Sequence, residues 1–253
     1  MKDTAKLKLK TSYKTMKTLN IYIFSILVFL SLAANAQDEI HLRTSEIFDA
    51  PLIGRNYLPP SVGKGSPYLY DNFLNGYVVF ITGDTVRNKL FKYDCLKNDF
   101  IWMADGKSMI ALDHNLIKSF TLFPREGGER IFEKTTLKLP FIADSLFRYL
   151  EVLAKGEIDL YSFHKVEVEA EATTGLSGGL YQLNAYSAKN LYFIQLEDLS
   201  VRQVRFSKRS IYEAYPEYKE KIRKIMRANH SGGIRNEYQL TQLVKLINEN
   251  WKD

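Results

Sequence analysis

Cysteine is almost absent from this chain of 253 residues, because Cys95 is the only one. A single thiol forms no intrachain disulfide, so the folded state depends on the burial of apolar surface. Histidine is scarce too, with four residues, and none has another His or a Cys at zinc-site spacing. No Gly-rich phosphate-binding turn is present either. The sequence therefore predicts neither a metal site nor a cofactor.

Long apolar runs are also missing. The run Ile21–Leu32 spans 12 residues, which is too short to cross a bilayer as a helix. It lies between a lysine-rich segment and an A-x-A site ending at Ala36, the order typical of a secretory signal peptide. We therefore expect cleavage between Ala36 and Gln37, removal of residues 1–36, and an exported protein, periplasmic or secreted, without a transmembrane span. Since Gln37 is not a cysteine, we expect no lipid attachment at the new N-terminus.

The expected mature chain has almost no net charge. The whole chain carries +6, but residues 1–36 contain six lysines and one aspartate. Residues 37–253 keep 29 basic and 28 acidic residues, a net charge of +1. A nucleic-acid-binding protein needs basic side chains that survive processing. We therefore expect no nucleic-acid partner.

Aromatic residues are abundant, at 13% of the chain, and they occur in short runs with β-branched residues. Turn signals such as Gly83-Asp84 and Asp105-Gly106 separate these runs at intervals of about 10 residues. This pattern predicts an antiparallel β-meander. The predicted strands are 76–82, 85–93, 100–103, 108–112, 117–123 and 131–139, with a closing pair at 191–196 and 201–206.

Three other segments are less regular. Residues 145–163 fit either a helix, with Leu146, Leu150 and Leu153 on one face, or a hairpin that turns at Lys155-Gly156. The hairpin is the favoured interpretation. Residues 170–190, rich in Ala, Thr, Gly, Ser and Asn, are predicted as a long mobile loop. Residues 37–64 are predicted as an extended leader with little regular structure.

The apolar period changes to 3.6 after residue 206. Pro216 is typical of a helix start, and Asn236 with Gln239 resembles a capping box. We expect two amphipathic helices in the C-terminal segment 207–253, packed on a β-rich domain at 65–206. The predicted fold is α+β, a curved sheet or partial barrel with C-terminal helices. The two apolar stripes are Tyr218, Ile222, Ile225 and Met226, followed by Leu240, Leu243, Val244, Ile247 and Trp251.

This order of segments resembles a family of uncharacterised exported proteins of Gram-negative bacteria. The similar pieces span most of the mature chain, and no activity is attached to that family. The resemblance therefore implies no activity for this chain. The pieces are the AANAQ end of the signal, GSPYLYDNFLNG at Gly65–Gly76, KLFKYD at Lys89–Asp94, LEVLAKGEIDLY at Leu150–Tyr161 and the terminal LINENW.

Two arrangements suggest nucleophilic catalysis at first sight. GLSGG at Gly175–Gly179 matches G-x-S-x-G, but a nucleophile elbow needs an apolar strand before Ser177 and a helix after it, and neither pattern is present. Cys95 with His114 lacks a third group to orient the histidine. We therefore predict that neither Ser177 nor Cys95 is a nucleophile.

Aspartates cluster in the predicted meander turns. A Ca²⁺ site needs six or more converging oxygen ligands, whereas aspartate is a common turn residue that binds its own backbone. The turn interpretation is favoured. The aspartates concerned are Asp94, Asp99, Asp105 and Asp113.

Basic residues are concentrated in one segment. Residues 201–227 contain nine basic and three acidic residues, a net charge of +6, which leaves −5 for the rest of the mature chain. Such separation favours contact with an anionic envelope component or an acidic partner protein. The alternative is that these side chains only cover solvated helix surfaces. The candidate binding residues are Arg202, Arg205, Lys208, Arg209, Lys219, Arg223, Lys224 and Arg227.

Two functions follow from these observations. The favoured one is a non-catalytic envelope protein that binds a partner or ligand. The alternative is a hydrolase-like enzyme acting on envelope material. Such an enzyme would bring two or more of Asp94, Asp105, His114 and His164 into one pocket.

Overall fold

A computed structural model describes residues 52–135, 139, 147–174, 180–195, 200–229 and 232–251, and the side chains of these except 171–174 and 180–182. The predicted signal peptide lies outside this part of the chain. The strands are β1 (Gly54–Asn56), β2 (Gly63–Lys64), β3 (Leu74–Phe80), β4 (Thr85–Asp94), β5 (Asp99–Ala104), β6 (Ser108–Leu112), β7 (Ile117–Phe123), β8 (Arg130–Thr135), β9 (Arg148–Ala154), β10 (Asp159–Thr174), β11 (Leu180–Gln195) and β12 (Val201–Val204). The helices are α1 (Lys208–Ala214), α2 (Lys219–Ala228) and α3 (Glu237–Glu249).

The strands form one sheet in the order β1-β6-β5-β4-β3-β7-β8-β9-β10-β11-β12, and β2 pairs with β11. Every pairing is antiparallel except that of β2 with β11. The predicted α+β class is therefore confirmed, with strands first and helices at the end. The meander is interrupted once, because β7 pairs with β3 and not with the preceding β6.

The sheet is strongly curved. Phe100 on β5 and Phe120 on β7 stack with their ring centroids 3.8 Å apart, although β4 and β3 lie between these strands. In a flat sheet, three strand spacings would separate them by about 14 Å. The sheet must therefore bend around its own side chains.

Aromatic rings fill the concave side of this bend. Phe91 stacks on Phe100 at 4.7 Å, and Phe132 stacks on Phe120 at 4.7 Å. Tyr93 packs against Phe120 at 5.4 Å. These rings are almost fully buried, and large buried rings contribute most of the apolar area that stabilises such a core.

The hairpin interpretation of residues 145–163 is confirmed, since β9 pairs antiparallel with β10. The turn between them is held by α3. The Asn248 amide accepts a hydrogen bond from the Ile158 N–H at 2.9 Å and donates one to the Ile158 carbonyl at 2.8 Å. Gly156 makes this approach possible, because a Cβ there would lie 2.5 Å from the Asn248 side chain.

The prediction of a mobile loop at 170–190 is wrong. β10 and β11 have 16 residues each and pair without interruption from Asp159 opposite Gln195 to Thr174 opposite Leu180. The composition was misleading, because small and polar residues also suit a two-stranded ribbon. The informative signal was the alternation of Val166 and Val168 with acidic residues, which has the period of a strand.

The leader prediction needs a smaller correction in its described part. Its residues are mostly irregular, but β1 pairs with β6 and β2 pairs with β11. The described part of this segment, residues 52–64, thus pairs with the sheet near both of its ends. Tyr57, between these strands, donates its N–H to the Met109 carbonyl at 2.8 Å.

Both predicted helices are present as α2 and α3, and the sequence pattern missed α1. The Asn236 side chain caps α3 by accepting the Gln239 N–H at 2.9 Å, as predicted. Ser207 caps α1 by accepting the Ser210 N–H at 3.1 Å. α1 escaped detection because its seven residues are too few to show an apolar period. None of the described helices is long and apolar enough to span a membrane.

Candidate functional site

Asp94 is a structural turn residue. One carboxylate oxygen accepts the N–H groups of Leu96 and Lys97, both at 2.9 Å. The other accepts the Tyr57 hydroxyl at 2.6 Å. The side chain is fully buried, so its hydrogen bonds anchor the leader to the β4–β5 turn.

Two of the other turn aspartates are also engaged by neighbouring groups. Asp99 pairs with Arg55 at 2.7 Å, and Asp113 accepts the Asn115 N–H at 2.8 Å. Asp105 lies in an exposed turn with a φ of 49°. Within the described ranges, no group of three or more His, Cys, Asp or Glu side chains is arranged to hold a metal ion.

Cys95 and His114 have separate environments. The His114 ring stacks on Phe147 with centroids 4.3 Å apart. Cys95 is buried, and burial raises the pKa of its thiol far above the ordinary value. A thiol that stays protonated is a poor nucleophile.

Ser177 lies outside the described residues, but its flanking strands are described. The segment 175–179 connects β10 to β11, which pair antiparallel up to Thr174 and Leu180. A nucleophile elbow requires a helix after the serine. The strand that follows supports the prediction that this motif is not an elbow.

His164 belongs to a buried charged network. Arg130 binds both oxygens of Glu151, with Nε donating to Oε1 at 2.5 Å and Nη2 contacting Oε2. The Nε2 atom of His164 lies 2.6 Å from Glu151 Oε2, and its Nδ1 lies 2.9 Å from Asn190 Oδ1. Arg130 Nη1 also donates to the Tyr70 hydroxyl at 2.8 Å. Glu151 and His164 are only 4% and 6% exposed.

Opposing effects act on the pKa of Glu151. Burial raises it, but hydrogen bonds from His164 and Arg130 outweigh the burial, so the pKa lies below its ordinary value. Glu151 is therefore a carboxylate at neutral pH. Its hydrogen bonds are satisfied inside the protein, which is the arrangement expected of a structural charge.

Sequence reasoning missed this network because its members come from different strands. Glu151 stands opposite Phe132 on β8 and opposite Ser162 on β10. Residues two positions apart in a strand share a face, so Arg130 lies on the same face as Phe132, and His164 on the same face as Ser162. Arg130, Glu151 and His164 therefore share one face of the sheet. Only the strand register brings them together.

The first four candidate basic residues lie around β12 and α1. Arg202 shares a sheet face with Val204, which is buried in the core beneath the helices. Arg205 is exposed just after β12, Lys208 is half-buried and Arg209 is exposed, and both of the latter are on α1.

The other four candidates lie on α2. Lys219, Arg223 and Arg227 follow one another at intervals of four residues and so share one side of the helix. We call these three residues the basic ridge. The Arg223 guanidinium lies 5.8 Å from the Tyr212 ring centroid of α1, so the ridge borders α1. Lys224 is exposed on α2.

Acidic residues neutralise only part of this charge. Arg209 pairs with Glu213 at 2.6 Å, and Arg223 pairs with Glu220 at 2.8 Å. Both pairs are on the protein surface, where ion pairs are weak and exchange easily. The α2 candidates without an ion pair in the described part of the chain are Lys219, Lys224 and Arg227.

A depression of about 520 Å³ lies between α2 and α3, beside Lys221 and Lys224. Asn229 and Asn250, which end these two helices, also line it. Helix C-termini carry partial negative charge and disfavour an anion. Lys221 is already engaged there, since its Nζ donates to the Trp251 carbonyl. Contact with an anion is therefore expected at the basic ridge and not in this depression.

No protein-family model, curated protein or solved structure matches this chain. Its functional assignment therefore depends on the geometry of its own residues.

Proposed function

We propose that this is an exported, non-catalytic binding protein that contacts an anionic envelope component through its helical end. The observation that carries the proposal is the basic ridge, which bears three cations and, among the described residues, one acidic partner, Glu220. Charges of one sign on an exposed surface attract an oppositely charged surface over about a Debye length, 8 Å at physiological salt.

The placement of the candidate catalytic groups also favours binding over hydrolysis. Asp94, His114 and His164 are each engaged by different neighbours, and Asp105 lies in an exposed turn. A hydrolytic site needs an acid or base beside a pocket that admits substrate. His164 is instead buried between Glu151 and Asn190.

Export is the first part of the proposal to test. The apolar run Ile21–Leu32 and the A-x-A site ending at Ala36 predict cleavage before Gln37. Intact-mass measurement of the protein recovered from the envelope and the medium is expected to show a chain that begins at Gln37. A recovered chain that retains residues 1–36 would contradict the proposed soluble exported form.

Charge reversal tests the contact surface. Each Lys or Arg near an anionic membrane contributes about 1 kcal/mol to binding. We therefore expect the triple variant Lys219→Glu, Arg223→Glu and Arg227→Glu to bind phosphatidylglycerol-containing vesicles about 100-fold more weakly. Wild-type binding is expected to fall steeply between roughly 50 and 300 mM salt. Vesicles of phosphatidylcholine alone serve as the uncharged reference.

A matched control carries the same change in net charge elsewhere. Lys107, Lys118 and Lys189 are exposed and lie outside α1 and α2, so their reversal to Glu is expected to weaken binding far less. A further variant that reverses the four candidates on β12 and α1 measures how far the surface extends. Equal losses in the ridge variant and the control, or binding that salt does not weaken, would exclude a localised anion-binding surface. The four residues of the further variant are Arg202, Arg205, Lys208 and Arg209.

A further inference from the structure

A second depression, of about 630 Å³, lies far along the chain from the basic ridge. Its wall is formed by two loops, the one that precedes β3 and the one that follows β7. A volume of this size lies within the range of about 300 to 1,000 Å³ found for small-molecule sites. The aromatic and polar residues of its lining are Tyr70, Asp71, Asn72, Phe73, Arg125 and Glu126.

The lining combines aromatic rings with free hydrogen-bonding groups. Tyr70 and Phe73 supply the rings. In the described part of the chain, the polar side-chain ends of the other four residues form no hydrogen bond or ion pair. These side chains offer both donors and acceptors, since carboxylates accept, a guanidinium donates and an amide does both. A ligand that enters therefore meets polar groups whose hydrogen-bonding positions are not occupied by the described residues.

Two residues that do not line the depression hold its aromatic rings in place. The Tyr70 hydroxyl accepts a hydrogen bond from Arg130 at 2.8 Å, and Arg130 is fixed by its paired contacts with Glu151. Lys92 lies 4.8 Å from the Phe73 ring centroid and donates to the Asp71 carbonyl. A loop that is already ordered loses less conformational entropy when it binds. The buried network of Arg130, Glu151 and His164 thus also orders the loop that carries Tyr70.

The charges of the lining select the class of ligand. Asp71 and Glu126 are acidic and Arg125 is basic, and Lys92 adds a second cation beside Phe73. These charges balance, so a charged ligand is not favoured here as a polyanion is at the basic ridge. A purely apolar ligand would leave the polar groups unpaired at a cost. Sugar hydroxyls both donate and accept, and the C–H faces of a sugar ring pack against aromatic rings.

We propose that this depression binds a neutral, polyhydroxylated ligand, which is to say an uncharged glycan. This site is independent of the basic ridge, because the two share no residue. A negative binding result at one site therefore does not contradict the proposal for the other.

Titration with defined uncharged sugars tests the site. Maltotriose, cellotriose and triacetylchitotriose are added at millimolar concentration to isotope-labelled protein as exported, and the amide resonances are followed. At least one sugar is expected to cause saturable shifts confined to the amides of residues 70–74, 125 and 126. The absence of such shifts with all three sugars, or shifts that map elsewhere, would overturn the proposal.

Isosteric variants separate recognition from packing. Asp71→Asn with Glu126→Gln keeps the shape of the rim and removes both charges. The affinity for the sugar is expected to fall about tenfold or more, because hydrogen bonds to charged groups are stronger than those to neutral ones. Glu220→Gln, at the helical depression, is the matched control and should leave the affinity unchanged. An affinity that is equal in both variants would contradict the assignment of these residues.

Discussion

Glu151→Leu is expected to lower the free energy of unfolding by about 3 to 5 kcal/mol, the usual cost of removing one partner from a buried ion pair. The substitution leaves the Arg130 guanidinium, whose side chain is 20% exposed, without its carboxylate. It also deprives His164 of its 2.6 Å contact. Urea unfolding at neutral pH, followed by circular dichroism and by tryptophan fluorescence, measures the loss.

A double-mutant cycle distinguishes the pair from a general packing effect. Arg130→Met alone strands the carboxylate and is expected to be similarly destabilising. The double variant should cost less than the sum of the two, because neither charge is then left alone. Glu213→Gln, in the exposed pair with Arg209, is the control and should change stability by no more than about 0.5 kcal/mol. A strictly additive double variant would show that Arg130 and Glu151 do not stabilise each other.

The same carboxylate predicts a dependence on pH. The folded state holds the pKa of Glu151 below the ordinary value of 4.5. The contribution of this carboxylate to the free energy of unfolding is therefore fully present above that pH. It is lost as the pH falls through the lower pKa of the folded protein. As the pH falls below about 4.5, the wild type should therefore lose stability more steeply than Glu151→Leu. Parallel curves for the two proteins would contradict the lowered pKa.

Leu243→Ala is expected to lower the free energy of unfolding by about 2 to 5 kcal/mol, the range for deleting a packed leucine side chain. Leu243 is 5% exposed. It belongs to a core cluster that joins α3 to Ile158 of the β9–β10 turn and to Leu160 and Ile194 of the sheet. Removing its side chain leaves a cavity between the helices and the strands. Thermal unfolding of the variant and the wild type gives the difference.

The exposed side of the same helix provides the control. Tyr238 is 70% exposed, and Tyr238→Ala is expected to have little effect. Deletion of residues 207–253 should lower the melting temperature of the remaining sheet, because the core beneath the helices would then face water. An unchanged melting temperature after that deletion would show that the helices form a separate domain.

The strands from 74 to 123 were predicted within about two residues of their observed ends. Their limits are set by local chemistry, since Gly83-Asp84 and Asp105-Gly106 turn the chain without help from distant residues. The positive φ of 94° at Gly83 is the kind of conformation that glycine adopts most easily. The same local chemistry explains the capping of α3 by Asn236.

Part of the candidate binding surface could also be predicted, because helix spacing is a local property of the sequence. The spacing of Lys219, Arg223 and Arg227 places them on one helix side as soon as α2 is recognised. Their pairing with nearby acidic residues is also local, as in Arg223 with Glu220. The composition did not indicate that Lys221, on the same helix, donates its Nζ to the Trp251 carbonyl.

The sequence by itself predicted an export signal and determined most of the strands and two helices, because each depends on residues within about ten positions of one another. The tertiary structure alone decided that β7 pairs with β3, that Arg130 meets Glu151 and His164, and that Tyr70 shares a depression with Glu126. These contacts join residues 13 to 56 positions apart in the chain. Such contacts form only when strand register and sheet curvature are set by the burial of the whole aromatic core, which no local pattern encodes.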